Sequence, residues 1–139
     1  MPQTVADVMT RDPRSVDPDA PVWAAAEQMR DADAGAVIVT DREQVVGILT
    51  DRDIAVRVVA DRRDPGTPVR QVCSNAAIQA VTPDTPVEQA VQTMRSAAVR
   101  RLPVVQDGRA VGIVSLGYLA IERDERSALA DISAAAPNE

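Results

Sequence analysis

Two stretches of this 139-residue chain repeat each other at a fixed distance. Shifted by 65 residues, VDPDAPVWAAAEQMRDA (Val16–Ala32) falls on VTPDTPVEQAVQTMRSA (Val81–Ala97), and Val46-Gly47-Ile48 falls on Val111-Gly112-Ile113. Across Val16–Ile54 and Val81–Leu119, 13 of 39 pairs are identical without a gap. Chance matching of Ala and Val accounts for a few of these. It does not account for Pro-Asp-x-Pro-Val, Met-Arg and Val-Gly-Ile sharing one offset. The chain is one supersecondary unit used twice.

Each copy predicts the same elements. Asp19 and Asp84 stand at N-cap positions, with Pro21 and Pro86 in the first turn, where a missing N–H costs little. A helix follows through Met29-Arg30 and Met94-Arg95, with Val22, Ala25, Ala26 and Met29 on one face. Two strands come next, Ala36–Val39 and Val45–Leu49 in the first copy, Leu102–Val105 and Ala110–Val114 in the second. They are joined by polar turns at Asp41–Gln44 and Gln106–Arg109. A helix then begins at Thr50 or Ser115, and a short extended piece precedes each copy near Ser15-Val16 and Ala80-Val81. DRRDPGTP (Asp61–Pro68) is a breaker-rich linker. The organisation expected is residues 1–64 for the first repeat with its linker, 65–126 for the second, and 127–139 as a frayed tail. One copy of roughly fifty residues can scarcely bury enough apolar surface alone. Two copies packed sheet to sheet can, and the clefts between related halves suit small ligands.

Composition narrows the function. Every basic residue is Arg, and the net charge of −6 argues against nucleic acid or an anionic membrane surface as partner. Charges interrupt every apolar run before it reaches membrane-spanning length, and the N-terminus shows no secretion signal. The single cysteine, Cys73, has no partner for an internal disulfide. The expected setting is cytoplasmic. With no His, no second Cys and no Ser beside a base, general acid–base and nucleophilic chemistry lack their usual agents, so no enzyme activity is expected. No group of residues suggests a metal site, and no cofactor is required.

Chemistry concentrates at Gly47-Ile48-Leu49-Thr50-Asp51-Arg52-Asp53. Thr50 lies at a strand-to-helix junction with Asp53 three residues on. One reading is a capping box, Thr50 as N-cap and Asp53 reaching back to its N–H. The other uses the same geometry to hold a phosphorylated sugar: free N–H groups and the hydroxyl take an anion, and the carboxylate takes a diol. The spacing fits both.

The element order, the PDxPV helix starts, the Arg-Arg-Leu-Pro-Val strand (Arg100–Val104) and the Gly47–Asp53 segment resemble a tandem pair of cystathionine-β-synthase-type (CBS) domains. The resemblance runs from about Thr4 to about Arg123. It is to stand-alone bacterial CBS proteins, including the mycobacterial hypoxia-response type. It implies an α/β fold of the α+β kind, two pseudo-symmetric βαββα repeats packed sheet to sheet. It also implies a binding site. In adenosine-binding relatives a G-x-x-[ST]-x-x-D segment contacts ribose and phosphate, which here gives Gly47, Thr50 and Asp53. The other repeat completes the site with Ala80 and Val81 beside the base and Arg100, Arg101 and Pro103 at the phosphates. On their own residues, Arg100 and Arg101 read equally as two solvated arginines leading into a strand.

The second, pseudo-symmetric cleft departs from the pattern. Ser115 keeps the hydroxyl, but Tyr118 stands where Asp53 does, and Gly35 and Ala36 stand where the arginines do. That cleft is expected to be empty or filled by the Tyr118 ring. Trp23 reads either as the anchor of a homodimer interface or as a partly buried side chain. Met29 and Met94 read as core, and Cys73, aligned with Met9, as a small apolar position. The expectation is a regulatory module with one cleft for AMP, ADP, ATP, S-adenosylmethionine or a dinucleotide. The alternative is a scaffold that binds an unidentified protein partner and no nucleotide.

Overall fold

The computed structural model describes residues 3–74, 79–115 and 117. Tyr118 and the tail expected over 127–139 lie outside them. The elements are α1 (Val5–Val8), β1 (Thr10–Arg11), β2 (Ser15–Val16), α2 (Val22–Ala32), β3 (Ala36–Asp41), β4 (Gln44–Thr50), α3 (Asp51–Ile54), α4 (Val87–Ala97), β5 (Arg101–Gln106) and β6 (Arg109–Ser115). A π-helical turn (Ala55–Val59) continues α3, and a 3₁₀ turn (Val69–Gln71) precedes the second copy. The mixed α+β architecture with two small sheets agrees with the expected fold class.

The compact units cut the chain differently from the repeats. One unit is Pro13–Ile78; the other joins Met1–Asp12 to Gln79–Glu139. In the first, β2 runs parallel to β3, β3 and β4 form a hairpin, and Ser74 bridges Ile48 of β4. In the second, Val81 bridges Val104 in parallel, β5 and β6 form the hairpin, and β1 pairs with β6. Each copy's last strand is therefore covered by a segment that precedes the other copy in sequence.

The two cores show the same exchange. Val5, Val8 and Met9 are buried with Val87, Ala90, Val91, Met94, Leu102, Val104 and Val114. Val69, Val72 and Cys73 are buried with Val22, Ala25, Met29, Val37, Val39 and Leu49. The leading segments Val-Ala-Asp-Val-Met and Val-Arg-Gln-Val-Cys correspond at an offset of 64, one residue short of the repeat offset. Burial of Met29, Met94 and Cys73 follows the sequence reading, whereas Ala26 of α2 is exposed rather than on the buried face.

Exchange also caps the long helices. Asp19 and Asp84 are not their N-caps. Pro21 and Pro86 hold that position, with no side-chain cap bond. The first N–H groups of α2, from Val22 and Trp23, donate to the Thr67 and Pro65 carbonyls at 2.9 and 3.0 Å, and Val87 of α4 donates to Gln3 at 3.1 Å. In return Val69 and Arg70 donate to Ala20 and Pro18, and Val5 and Ala6 donate to Thr85 and Pro83. Main-chain carbonyls thus do what a capping side chain would do. The Asp19 carboxylate instead pairs with Arg70.

Both hairpins turn through two residues of positive φ, Arg42-Glu43 (54° and 69°) and Asp107-Gly108 (55° and 82°). This is the twist a two-residue hairpin requires, and just the second has glycine to ease it. Pro103 explains another difference between copies. Its counterpart Ile38 donates its N–H to the Arg14 carbonyl at 2.9 Å, which Pro103 cannot do. The strand before the second copy is accordingly reduced to the Val81–Val104 bridge.

Glycine admits the exchanged segments. A Cβ on Gly112 would stand 2.7 Å from Met9 Sδ and 2.9 Å from the Thr10 carbonyl oxygen. Gly112→Ala is expected to displace β1 and cost about 1–3 kcal/mol of stability. Denaturant unfolding with amide exchange at Thr10 and Arg11 checks this; an unchanged midpoint would remove the case for exchange.

Candidate functional site

Thr50 ends β4 opposite Ala36 of β3 and caps α3. Its Oγ accepts from the Asp53 N–H at 3.1 Å, and Asp53 Oδ2 accepts from the Thr50 N–H at 3.0 Å. The capping box is therefore complete in both directions. Thr4 and Asp7 form the same box at α1, with the Thr4 N–H donating to Asp7 Oδ2 at 3.0 Å, so the box by itself does not mark a ligand site.

The N–H groups expected to receive an anion are already engaged. Asp51 donates to the Gly35 carbonyl at 2.9 Å, Arg52 to Asp51 Oδ1 at 2.8 Å, and Asp53 to Thr50 Oγ. Of the two readings of this segment, the capping box is the one these bonds describe. An anion here would depend on side chains from elsewhere.

Asp53 has one more neighbour. Arg57 Nε stands 3.9 Å from Asp53 Oδ1, and Arg57 Nη1 donates to the Val72 carbonyl at 3.3 Å. The Asp53 side chain is 16% exposed and that of Arg57 51%. Sequence reasoning missed Arg57, although an acid and a base four residues apart on a helix was the available signal. Gly47 has a structural reason of its own: a Cβ there would meet Cys73 Sγ at 3.0 Å and the Ser74 carbonyl oxygen at 3.2 Å.

The remaining expected residues lie in the other unit. Ala80 is exposed. Val81 is buried and spends its main chain on β5, donating to Pro103 at 3.1 Å and accepting from Val105 at 2.8 Å. Pro103 is buried opposite Ile113. Arg100 is exposed, and Arg101 opens β5 opposite Ser115, as Ala36 lies opposite Thr50 in the first copy. The structure thus gathers Gly47, Thr50 and Asp53 at one strand–helix junction, and places Arg101 and Pro103 on β5 with Val81 bridged beside it.

Burial pushes the Cys73 thiol up from its ordinary value, and the Asp53 charge adds to the rise; the main-chain N–H of Cys73 and the Arg57 guanidinium act the other way. The chain has no His and one Cys, and among the described residues no group of three His, Cys, Asp or Glu side chains could hold a metal. Among the described residues no helix is long and apolar enough to cross a membrane.

The CBS domain pattern matches residues 5–60 and 65–123. The CBS domain-containing protein YhcV of Bacillus subtilis is 39% identical over 134 residues, 94% of this chain and 95% of that one. Hypoxic response protein 1 of Mycobacterium tuberculosis is 31% identical over 118 residues, covering 84% and 82%. Among solved structures, Hypoxic Response Protein I with two coordinated zinc ions matches with TM-score 0.74 and 32% identity, over 85% of this chain and 97% of that one. A hexameric CBS-CP12 protein from bloom-forming cyanobacteria matches with TM-score 0.81 and 26% identity, over 89% and 74%. The CBS pair of protein MJ0100, in complex with 5′-methylthioadenosine and S-adenosyl-L-methionine, shares the fold with TM-score 0.80 at 20% identity, over 91% and 100%.

Two outcomes follow from this geometry. Thr50→Ala is expected to cost about 1 kcal/mol, and Thr50→Ser much less, in denaturant unfolding. The Cys73 thiol is expected to react with a disulfide reagent at neutral pH far more slowly than in urea. Its raised value means the folded state keeps the proton that the unfolded state releases. Stability tied to the thiol is therefore full below about pH 8.5 and falls as pH rises above it. Fast labelling of the folded protein would contradict the burial.

Proposed function

The chain belongs to the CBS domain family as a tandem pair, a class of regulatory rather than catalytic modules, and on that premise we propose that it senses an adenosine-containing ligand. AMP, ADP, ATP and S-adenosylmethionine are the ligands of choice. One cleft serves, built from Thr50 and Asp53 of the first copy and Ala80, Val81, Arg100, Arg101 and Pro103 of the second. Asp53 Oδ1 accepts the ribose hydroxyls, and the guanidinium pair takes phosphate oxygens.

The observation that carries this is the asymmetry of the copies. Where the first has Thr50 and Asp53, the second has Ser115 and Tyr118; where the second has Arg100 and Arg101, the first has Gly35 and Ala36. A framework kept for packing alone has no reason to lose acid and arginines together from one side. The adenosyl ligands held by the MJ0100 pair lend support at the level of the fold. Ligand occupancy regulates by favouring one packing arrangement over another. The working form is a cytoplasmic homodimer. Trp23, 51% exposed, and Val59, 69% exposed, supply apolar surface for its interface.

A second reading is favoured by the capping geometry. Thr50, Asp53 and the first N–H groups of α3 satisfy one another, and Gly47 is accounted for by Cys73, as a protein-binding scaffold without nucleotide would require. Thermal unfolding with AMP, ADP, ATP and S-adenosylmethionine separates the two. A ligand at 100 times its Kd adds about 2.7 kcal/mol of stability. The expected result is a shift for wild type that Asp53→Ala loses, with Arg101→Ala weakening ATP more than adenosine. No shift with any ligand favours the scaffold; binding by Asp53→Ala at wild-type strength refutes the site.

A further inference from the structure

The side chains around Asp53 lead toward the segment Val69–Ser74. Oδ2 is held by the Thr50 N–H at 3.0 Å, while Oδ1 faces Arg57 Nε at 3.9 Å. That separation is too long for a hydrogen bond but well within range of Coulombic attraction. Oδ1 can therefore accept from an incoming hydroxyl without first losing a hydrogen bond. The other end of the guanidinium donates to the carbonyl of Val72, a residue 1% exposed in the exchanged segment. That segment is fixed to β4 by two bonds, Ile48 N–H to the Ser74 carbonyl at 3.2 Å and Ser74 N–H to the Ile48 carbonyl at 3.0 Å.

We propose that Arg57 is a positioning residue that ties the Asp53 carboxylate to the main chain of Val69–Ser74, so that what engages Asp53 is felt by the exchanged segment. The regulatory half of this proposal rests on the reading of Asp53 as the diol acceptor. A hydroxyl pair on Oδ1 shares the carboxylate's charge with Arg57 and alters its hold on Val72.

Three further observations point the same way. Arg57 sits in the π-helical turn, a local widening that re-aims side chains, with Ala60 N–H bonded to the Ala55 carbonyl. The fields of Asp53 and Arg57 both reach Cys73 in the segment, in opposite senses. In the second copy acid and base are lost as a pair, with Tyr118 and Glu122 at the corresponding positions.

The test is a double-mutant cycle read by hydrogen exchange at the Ser74 amide, normalised to the slowest amides of β3 and β4. Arg57→Met keeps the stem and removes the charge, and Asp53→Asn keeps the shape. Each is expected to speed Ser74 exchange about three- to tenfold without ligand, and the double variant no more than the larger single one. Thr50→Ala, which loosens the cap but leaves the pair, is expected to change Ser74 by less than Asp53→Asn. Additive effects, an unchanged rate in Arg57→Met, or an equal rise in Thr50→Ala would each overturn the link.

The second arm adds AMP, ADP, ATP or S-adenosylmethionine. Any of these that binds wild type is expected to change Ser74 exchange at least twofold, and the change is expected to vanish in Arg57→Met. Binding without a change at Ser74 overturns the regulatory role. If none binds, the adenosyl reading and the regulatory role fall together, and the ligand-free cycle still decides whether Arg57 makes the link.

Discussion

Everything in this molecule hangs on an exchange of short segments between two related halves. Val5, Val8 and Met9 close the core of the second copy, and Val69, Val72 and Cys73 close that of the first. The same segments supply carbonyls to the otherwise unsatisfied N–H groups at the starts of α2 and α4. A single interaction set therefore completes the apolar core and the polar ends of the helices at once. Gly47 and Gly112 are the matched positions that let the incoming backbone approach. Removing a segment would expose apolar surface and orphan helix donors together, two costs that reinforce each other.

That exchange bears on the candidate site because Cys73 adjoins Gly47 and the Val72 carbonyl accepts from Arg57, the neighbour of Asp53. Thr50 and Asp53 are held by each other, whereas the outward oxygen of Asp53 and the guanidinium of Arg57 face one another without a hydrogen bond. A rigid cap beside a looser charge pair is a workable arrangement for a receptor. The cap fixes the carboxylate, and the pair leaves it able to take a new partner.

Much of this was legible in the residues. The repeat at one offset gave the strands, the helices and their order, because binary pattern and turn chemistry agreed in both copies. The Thr50–Asp53 box could be read from spacing, since it is a local device. The exchange was not legible, because its signal, Val-x-x-Val followed by Met or Cys, sits one residue out of register with the repeat and pairs residues far apart in sequence. The N-cap assignment of Asp19 and Asp84 failed for the same reason: a local rule lost to main-chain carbonyls arriving from elsewhere. Spacing alone left two readings of the start of α3; its donors go to Gly35, Asp51 and Thr50, as the capping reading has it. Arg57 was overlooked because its role depends on the distant Val72 carbonyl.

The crossing of the leading segments makes each copy depend on the stretch that precedes the other. A molecule with a single copy and its leader could reproduce both cores by trading leaders between two chains, each completing the other. Joined head to tail, two such chains give the present connectivity, with Asp61–Pro68 as the join. Within one covalent chain the same trade needs no second molecule. Two copies in one chain need not be alike, and here the acid stands in one and the arginine pair in the other.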